Sequence, residues 1–383
     1  MKVGIINNMN VPKGGTATYF RNYLIPLLLH AGAEVTFISY KGLGDYWNDK
    51  LPEDVKVLNV SHENFDEHIA ELNGLDVIHT VIFHSYVGKK GEHIELWDDL
   101  TKLNVPLVTT VHAVTQLMRW SHDPSVLNTK SFLAHPNLAK VIQFRYGYYD
   151  LLMGKFAKKY KPEFKLPNRE DYIVHHPYVG YVDRSNLIPW EERPNNISYA
   201  GRFSGAKRGY VLMDSYEYIK SFDKMVVATN YDDCSHWDRM KLNTLIEQVG
   251  DKLDLIKEFE PTDVPKIANK AKFVAFPVAW EDIEFPNEWM YQEMVSCGVI
   301  PITTDKMIKR VPDELKDVLV LTHAPTTKPV DYDAIVGQYS QEQLKEMSDK
   351  LVDYANRNWH DIDLASKHLV GVYEQAIDKG VTK

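Results

Sequence analysis

The chain has 383 residues, 44% of them hydrophobic, 25% charged and 11% aromatic, with two cysteines and a formal charge of −9. That composition excludes a disordered chain, and at roughly 100–200 residues per domain the length implies about two domains, each able to bury a core. No apolar run approaches the ~18–20 residues that span a bilayer, and Cys234 and Cys297 are too few for a disulfide framework.

The opening MKVGIINN reads as a buried strand rather than a charged head leading an apolar signal segment, so a reducing cytosol is the expected setting. Strand-length runs rich in β-branched residues follow at Val35–Ile38, Val77–Ile78 and Pro106–Val111, with Ala139–Phe144 and Tyr172–Val174 as the last strands of this series. Between the first two strands, Ala17, Phe20, Tyr23, Leu24, Leu27 and Leu28 recur at helical spacing, and Gly32 marks the stop. The polar, proline-bearing stretch 186–196 (NLIPWEERPNN) reads as a linker. A second strand series comprises Ile197–Ala200, Met225–Thr229, Leu253–Phe259, Lys272–Pro277, Val299–Thr303 and Val318–Leu321. From Gln341 the pattern is helical, with a break expected near Trp359-His360-Asp361. Alternating strands and helices predict parallel sheets covered on both faces, hence an α/β protein with domains 1–185 and 186–360. Two such domains facing one another would hold a ligand in the cleft at their strand ends.

Three segments carry candidate chemistry. Pro12-Lys13-Gly14-Gly15-Thr16 follows the first strand, where glycines let backbone N–H groups approach an anion. It is neither a dinucleotide fingerprint nor a P-loop, and it also suits a plain strand-to-helix turn. Gly201-Arg202-Phe203-Ser204-Gly205-Ala206-Lys207 follows a strand of the second series. Arg202 and Lys207, five apart across small residues, can reach one diphosphate, the first bidentately and the second as a point charge. A solvated basic turn is the plainer alternative. The third segment, 286–301, is a helix carrying Glu288 and Glu293 that ends at Gly298 and runs into a strand. Carboxylates there accept hydrogen bonds from ribose or hexose hydroxyls, and the glycine end is expected to expose backbone donors. Two glutamates five apart lie about 140° around a helix, so they also suit separate solvated positions.

Together these segments resemble the retaining GT-B nucleotide-sugar glycosyltransferases, with a GG loop, a G-R-x4-K segment and an E-x7-E motif, over nearly the whole chain. Gly14 and Gly15 match the GG loop, His112 the strand-end histidine near the donor sugar, and Arg202 and Lys207 the diphosphate pair. Glu293 matches the second glutamate, which holds the donor ribose. The resemblance implies two Rossmann-like domains, an acceptor domain first and a nucleotide-sugar donor domain second, with helix 361–383 crossing back onto the first. It also implies a UDP-type nucleotide sugar as co-substrate, no prosthetic group, no metal, and front-face attack by the acceptor hydroxyl. Arg202, Lys207 and His112 would be catalytic; Gly14, Gly15, Glu288, Glu293 and Gly298 would bind the donor.

One departure stands out: Phe285, not Glu, lies eight residues before Glu293. The E-x4-E spacing of Glu288 and Glu293, followed by Cys-Gly-x-Ile-Pro, is similar to the DNA α-glucosyltransferases of T-even-type phages, which modify 5-hydroxymethylcytosine. The charge distribution bears on that branch. Residues 1–180 carry 19 basic and 19 acidic side chains, whereas the rest carry 25 and 34, which is the entire −9. Residues 140–170 hold eight basic and three acidic groups. There Arg145, Lys158 and Lys159 are interleaved with Tyr148 and other aromatics, a combination that suits DNA phosphates and an exposed base as well as a solvated helix. Modified double-stranded DNA is therefore the favoured acceptor partner. A glycan, lipid or small-molecule acceptor, a sugar phosphorylase and an inactive nucleotide-sugar binder are the alternatives. No obligate protein partner is evident. His79, His84, His122, His175 and His176 are expected to be structural, and Cys297 a packing residue.

Overall fold

A computed structural model of the chain describes residues 1–7, 18–40, 51–80, 94–111, 135–144, 149, 168–204, 207–277, 289–304, 313–316, 322–323 and 328–381. The chain divides into two units, Met1–His176 with Ile362–Lys383, and Pro177–Asp361.

The first unit is built from β1 (Lys2–Asn7), α1 (Ile25–His30), β2 (Glu34–Tyr40), β3 (Lys56–Val60), α2 (Phe65–Leu72), β4 (Val77–Thr80), α3 (Ile94–Thr101), β5 (Leu107–Val111), β6 (Leu138–Gln143) and β7 (Tyr172–Val174). Its seven strands are all parallel, in the order β3-β2-β1-β4-β5-β6-β7. β1 is buried along Val3–Asn7, as a central strand covered on both faces must be. β3 is an edge strand that the sequence reading missed: its exposure alternates and only five residues pair. The expected helix up to His30 is regular only in α1; Tyr19–Leu24 form a wider π-helical turn. Pro26, lacking an N–H, sits at the start of α1, where a missing donor costs least.

The second unit contains β8 (Ile197–Ala200), α4 (Gly209–Asp214), β9 (Met225–Ala228), α5 (His236–Val249), β10 (Leu253–Ile256), α6 (Val264–Ala268), β11 (Phe273–Phe276), α7 (Trp289–Ser296), β12 (Ile300–Thr304), α8 (Asp313–Lys316), β13 (Thr322–His323), α9 (Tyr332–Val336) and α10 (Gln341–Asn358). Its parallel order, β10-β9-β8-β11-β12-β13, repeats the doubly wound pattern of the first. The strand expected at Val318–Leu321 lies outside the described residues. α11 (Ile362–Lys379) belongs to the first unit. The helices α10 and α11 part where expected, at Trp359, which is buried edge-on against Tyr354. Among the described residues no helix is long and apolar enough to cross a membrane.

The stretch 186–196 is not a linker. Trp190 and Arg193 are buried, and Arg193 donates from Nε to the Ile188 carbonyl and from Nη2 to that of Cys297. Asn196 donates to the Lys270 carbonyl and accepts from the Lys224 N–H. These polar residues satisfy backbone groups inside the second unit, so their composition imitates a linker while their partners make a wall. The unit begins earlier than residue 186 for the same reason: Val179 and Val182 already belong to its core.

A buried polar network ties α11 to the first sheet. His79 bonds through Nδ1 to the Tyr373 hydroxyl and through Nε2 to Thr110 Oγ1, both at 2.6 Å. Ser366 donates to the Leu27 carbonyl, and Lys379 joins Lys140 on the buried carboxylate of Asp171. Nearby, His135 Nδ1 accepts from the Asn137 N–H at 3.1 Å while Nε2 faces the Trp97 carbonyl at 3.2 Å. That pair of partners fits only the neutral ring with its proton on Nε2, and burial pushes the imidazole down to about 4. Because the folded value lies below the ordinary 6.5, the unfolded chain binds the extra proton first. This contribution is complete above about 6.5 and is lost as pH falls toward 4, amounting to on the order of 3 kcal/mol. His135→Gln keeps an acceptor and a donor without titrating. Urea unfolding across this range is expected to depend less on pH in that variant; an unchanged slope would contradict the assignment.

Candidate functional site

The crevice of a doubly wound sheet opens where neighbouring strands send their connections to opposite faces. In the second unit this point lies between β8 and β11, whose Ile197 and Phe273 are register partners. The chain leaving β8 is Gly201-Arg202-Phe203-Ser204, and the structure shows what holds it. The Gly201 N–H donates to the Ala228 carbonyl, extending the pairing with β9. The Tyr199 hydroxyl donates to the Arg202 carbonyl at 2.7 Å, and the Phe203 N–H donates to Thr229 Oγ1 at 3.1 Å. Phe203 is buried with its ring edge-on to Tyr199. With its backbone tied and Phe203 inserted, the loop leaves Arg202 exposed.

Lys207 lies on the far side of the same loop. Its ammonium sits 5.8 Å from the centroid of the Phe276 ring at the end of β11, beside the switch point. Arg208 adopts a left-handed conformation, φ 54°, as the chain turns into α4. The next residue has no room for a side chain: a Cβ on Gly209 would stand 2.7 Å from the Tyr199 ring. Tyr199, Phe203, Thr229 and Gly209 thus hold the loop, yet only their contacts, not any motif, reveal it.

α7 packs against the same strand end, with Tyr291 edge-on to Phe276 at 4.9 Å. Glu293 on this helix is 1% exposed, and its carboxylate accepts a hydrogen bond from the Tyr181 hydroxyl. The helix's C-terminal carbonyls, which have no intrahelical partners, receive two guanidinium groups: Arg184 on Ser296 at 3.0 Å and Arg193 on Cys297 at 2.8 Å. Burial pushes the Cys297 thiol up to about 12 despite those cations, so it is an inert packing group.

Gly298 does not offer the exposed donor expected of it. Its N–H donates to the Val295 carbonyl, and the N–H groups of Cys297 and Val299 both go to Met294. Its carbonyl accepts from Ser348 Oγ at 2.6 Å. Glycine is required there by conformation and by space, since φ is +76° and a Cβ would meet Ser348 Oγ at 2.8 Å.

Gly14, Gly15, His112 and Glu288 lie outside the described residues, as do Arg145, Tyr148, Lys158 and Lys159. So do His84 and His122. His79 and His175 are buried in the first unit; His175 packs on Tyr23 and Phe144, and His176 accepts the Tyr23 hydroxyl on its carbonyl.

No family model matches the sequence, and no curated protein matches it. Solved structures do. A glycosyltransferase from Rickettsia africae ESF-5 is similar with a TM-score of 0.69 at 13% identity, over 98% of each chain. Anabaena Alr3699/HepE, in complex with UDP and glucose, gives 0.70 at 11% identity over 98% of this chain and 99% of that one. An alpha-glucosyltransferase in complex with UDP and a 13-mer DNA containing a HMU base gives 0.63 at 12% identity over 98% and 99%. At these identities the likeness establishes the fold, and the chain has the two-domain GT-B fold.

The geometry around Gly209 makes one expectation specific. Gly209→Ala forces its methyl into the Tyr199 ring and is expected to cost roughly 1–3 kcal/mol, read as a lower midpoint in thermal or urea unfolding. Unaltered stability would mean that the loop is not held as described.

Proposed function

We propose that the chain is a nucleotide-sugar-dependent glycosyltransferase that binds the donor diphosphate with Arg202 and Lys207. What supports this reading is that Arg202 and Lys207 lie on one loop at the switch point of the second sheet, its backbone tied to Tyr199 and Thr229 and the Lys207 ammonium beside Phe276. A nucleoside diphosphate brings negative charge to the place where a doubly wound sheet offers a crevice. Solved structures of the same fold hold UDP, which supports a UDP-type donor here.

In this reading the leaving diphosphate gains charge as its bond to the sugar breaks. Arg202 stabilises it bidentately and Lys207 as a point charge, both carried on a loop whose backbone is tethered before the reaction. Glu293 accepts hydrogen bonds from the ribose, and the family resemblance assigns His112 to the sugar. The acceptor hydroxyl attacks from the face the diphosphate leaves and passes its proton to the departing phosphate oxygen, with retention at the anomeric carbon.

The favoured acceptor is 5-hydroxymethylcytosine in duplex DNA. Two things support it: the basic and aromatic residues around Arg145, Tyr148, Lys158 and Lys159, and the likeness of fold to a glucosyltransferase whose structure contains modified DNA. Phosphate contacts would supply most of the DNA affinity, so it should fall steeply with salt.

The test is sugar transfer from labelled UDP-sugars to hydroxymethylated duplex DNA, with unmodified DNA and a panel of glycans alongside. Wild-type protein is expected to label only the hydroxymethylated duplex. Lys207→Ala is expected to lower kcat by about 10²–10³-fold while changing UDP affinity far less. Label on a glycan in place of DNA would overturn the acceptor, and an unchanged kcat would overturn the role of Lys207.

A further inference from the structure

Glu293 is a carboxylate with 1% of its surface exposed, and a group so placed depends on its hydrogen-bond donors. One donor comes from far away in sequence. Tyr181, 112 residues earlier, donates its hydroxyl to Glu293 Oε1. Nothing in the neighbourhood of Glu293 along the chain announces this partner.

The segment that delivers Tyr181 is anchored at several points. The Val179 N–H donates to the Trp359 carbonyl at 2.8 Å, and the Val182 N–H returns to the Val179 carbonyl at 3.0 Å, closing a turn around Tyr181. Three residues on, Arg184 spans from the Ser296 carbonyl to Asn356 Oδ1. Arg193 then reaches the Cys297 carbonyl. One stretch of chain therefore grips α7 both at its C-terminal carbonyls and at the side chain of Glu293.

A donor to one carboxylate oxygen prefers to lie near the plane of the group, and so favours particular directions in which the other lone pairs accept. Burial and the neighbouring Glu293 charge hold the Tyr181 phenol well above its ordinary value, so the hydroxyl keeps its proton and remains the donor. With so little of Glu293 exposed, a ligand hydroxyl can meet it from few directions, and orientation decides whether the contact forms.

We propose that Tyr181 is a positioning residue that orients the Glu293 carboxylate toward the ribose hydroxyls of the bound nucleotide. This rests on the reading of Glu293 as the ribose anchor. The predicted signature is selective: loss of the Tyr181 hydroxyl weakens recognition of the ribose hydroxyls and leaves the diphosphate contacts intact.

The experiment compares UDP with 2′,3′-dideoxy-UDP by calorimetry on the full chain. Wild-type protein is expected to prefer UDP by about tenfold or more. Tyr181→Phe is expected to bring that preference to within about threefold while affinity for the dideoxy analogue holds. Tyr181→His, whose ring donor has a different reach, is the second variant should the first not fold, and the same loss is expected. Wild-type preference in the folded variant, or equal weakening of both ligands, would overturn the positioning role. A wild-type protein that binds UDP without preferring it overturns the ribose reading, and the role of Tyr181 falls with it.

Discussion

In the second unit, β8 pairs parallel with β9 on one side and β11 on the other, so the chain winds outward in both directions from one seam. Connections that begin at that seam go to opposite faces of the sheet, and the strand ends between them cannot be covered by both. What occupies the seam here is specific. The loop after β8 is pinned by the Tyr199 hydroxyl and Thr229 Oγ1, its Lys207 extends over Phe276 at the end of β11, and α7 packs on the same ring through Tyr291. A loop carrying an exposed arginine and a half-buried lysine and a helix carrying a buried glutamate thereby meet at Phe276.

Placing cations on a tethered backbone is the economical way to meet a developing charge, because the ordering cost is met when the protein folds. The same logic explains why aromatic residues surround this loop. Tyr199 offers a hydroxyl to the Arg202 carbonyl and packs its ring against Gly209, so one side chain fixes both ends of the turn. α7 is secured differently, by two arginines on its last carbonyls and a tyrosine on its glutamate. Each of these donors comes from the residues between the last strand of the first unit and the first strand of the second.

Much of the sheet architecture was legible because central strands are runs of β-branched and aromatic residues buried on both faces, as in Val3–Ile6 and Phe273–Phe276. β3 was not, since an edge strand with alternating exposure lacks that run. The stretch around Trp190 misled for a related reason: composition reports polarity, whereas Arg193 and Asn196 are polar because they cap carbonyls and N–H groups inside the unit. Arg202, Lys207 and Glu293 were visible as residue types at telling positions. Their supports were not, because Tyr181 and Glu293 meet across 112 residues and no local pattern encodes that meeting. Gly298 looks like a free donor from its place at a helix end, whereas its backbone groups are already engaged.

That the seam between β8 and β11 binds a diphosphate through Arg202 and Lys207 is the proposal on which the mechanism rests. It is tested most directly by calorimetric titration of uridine, UMP and UDP into the wild-type chain and into the Arg202→Ala, Lys207→Ala double variant. Wild-type affinity is expected to rise by about tenfold or more from UMP to UDP, through charge-assisted contacts to the added phosphate, and the double variant is expected to lose this gain. Equal affinity of the wild-type chain for UMP and UDP, or a gain that survives in the double variant, would contradict it.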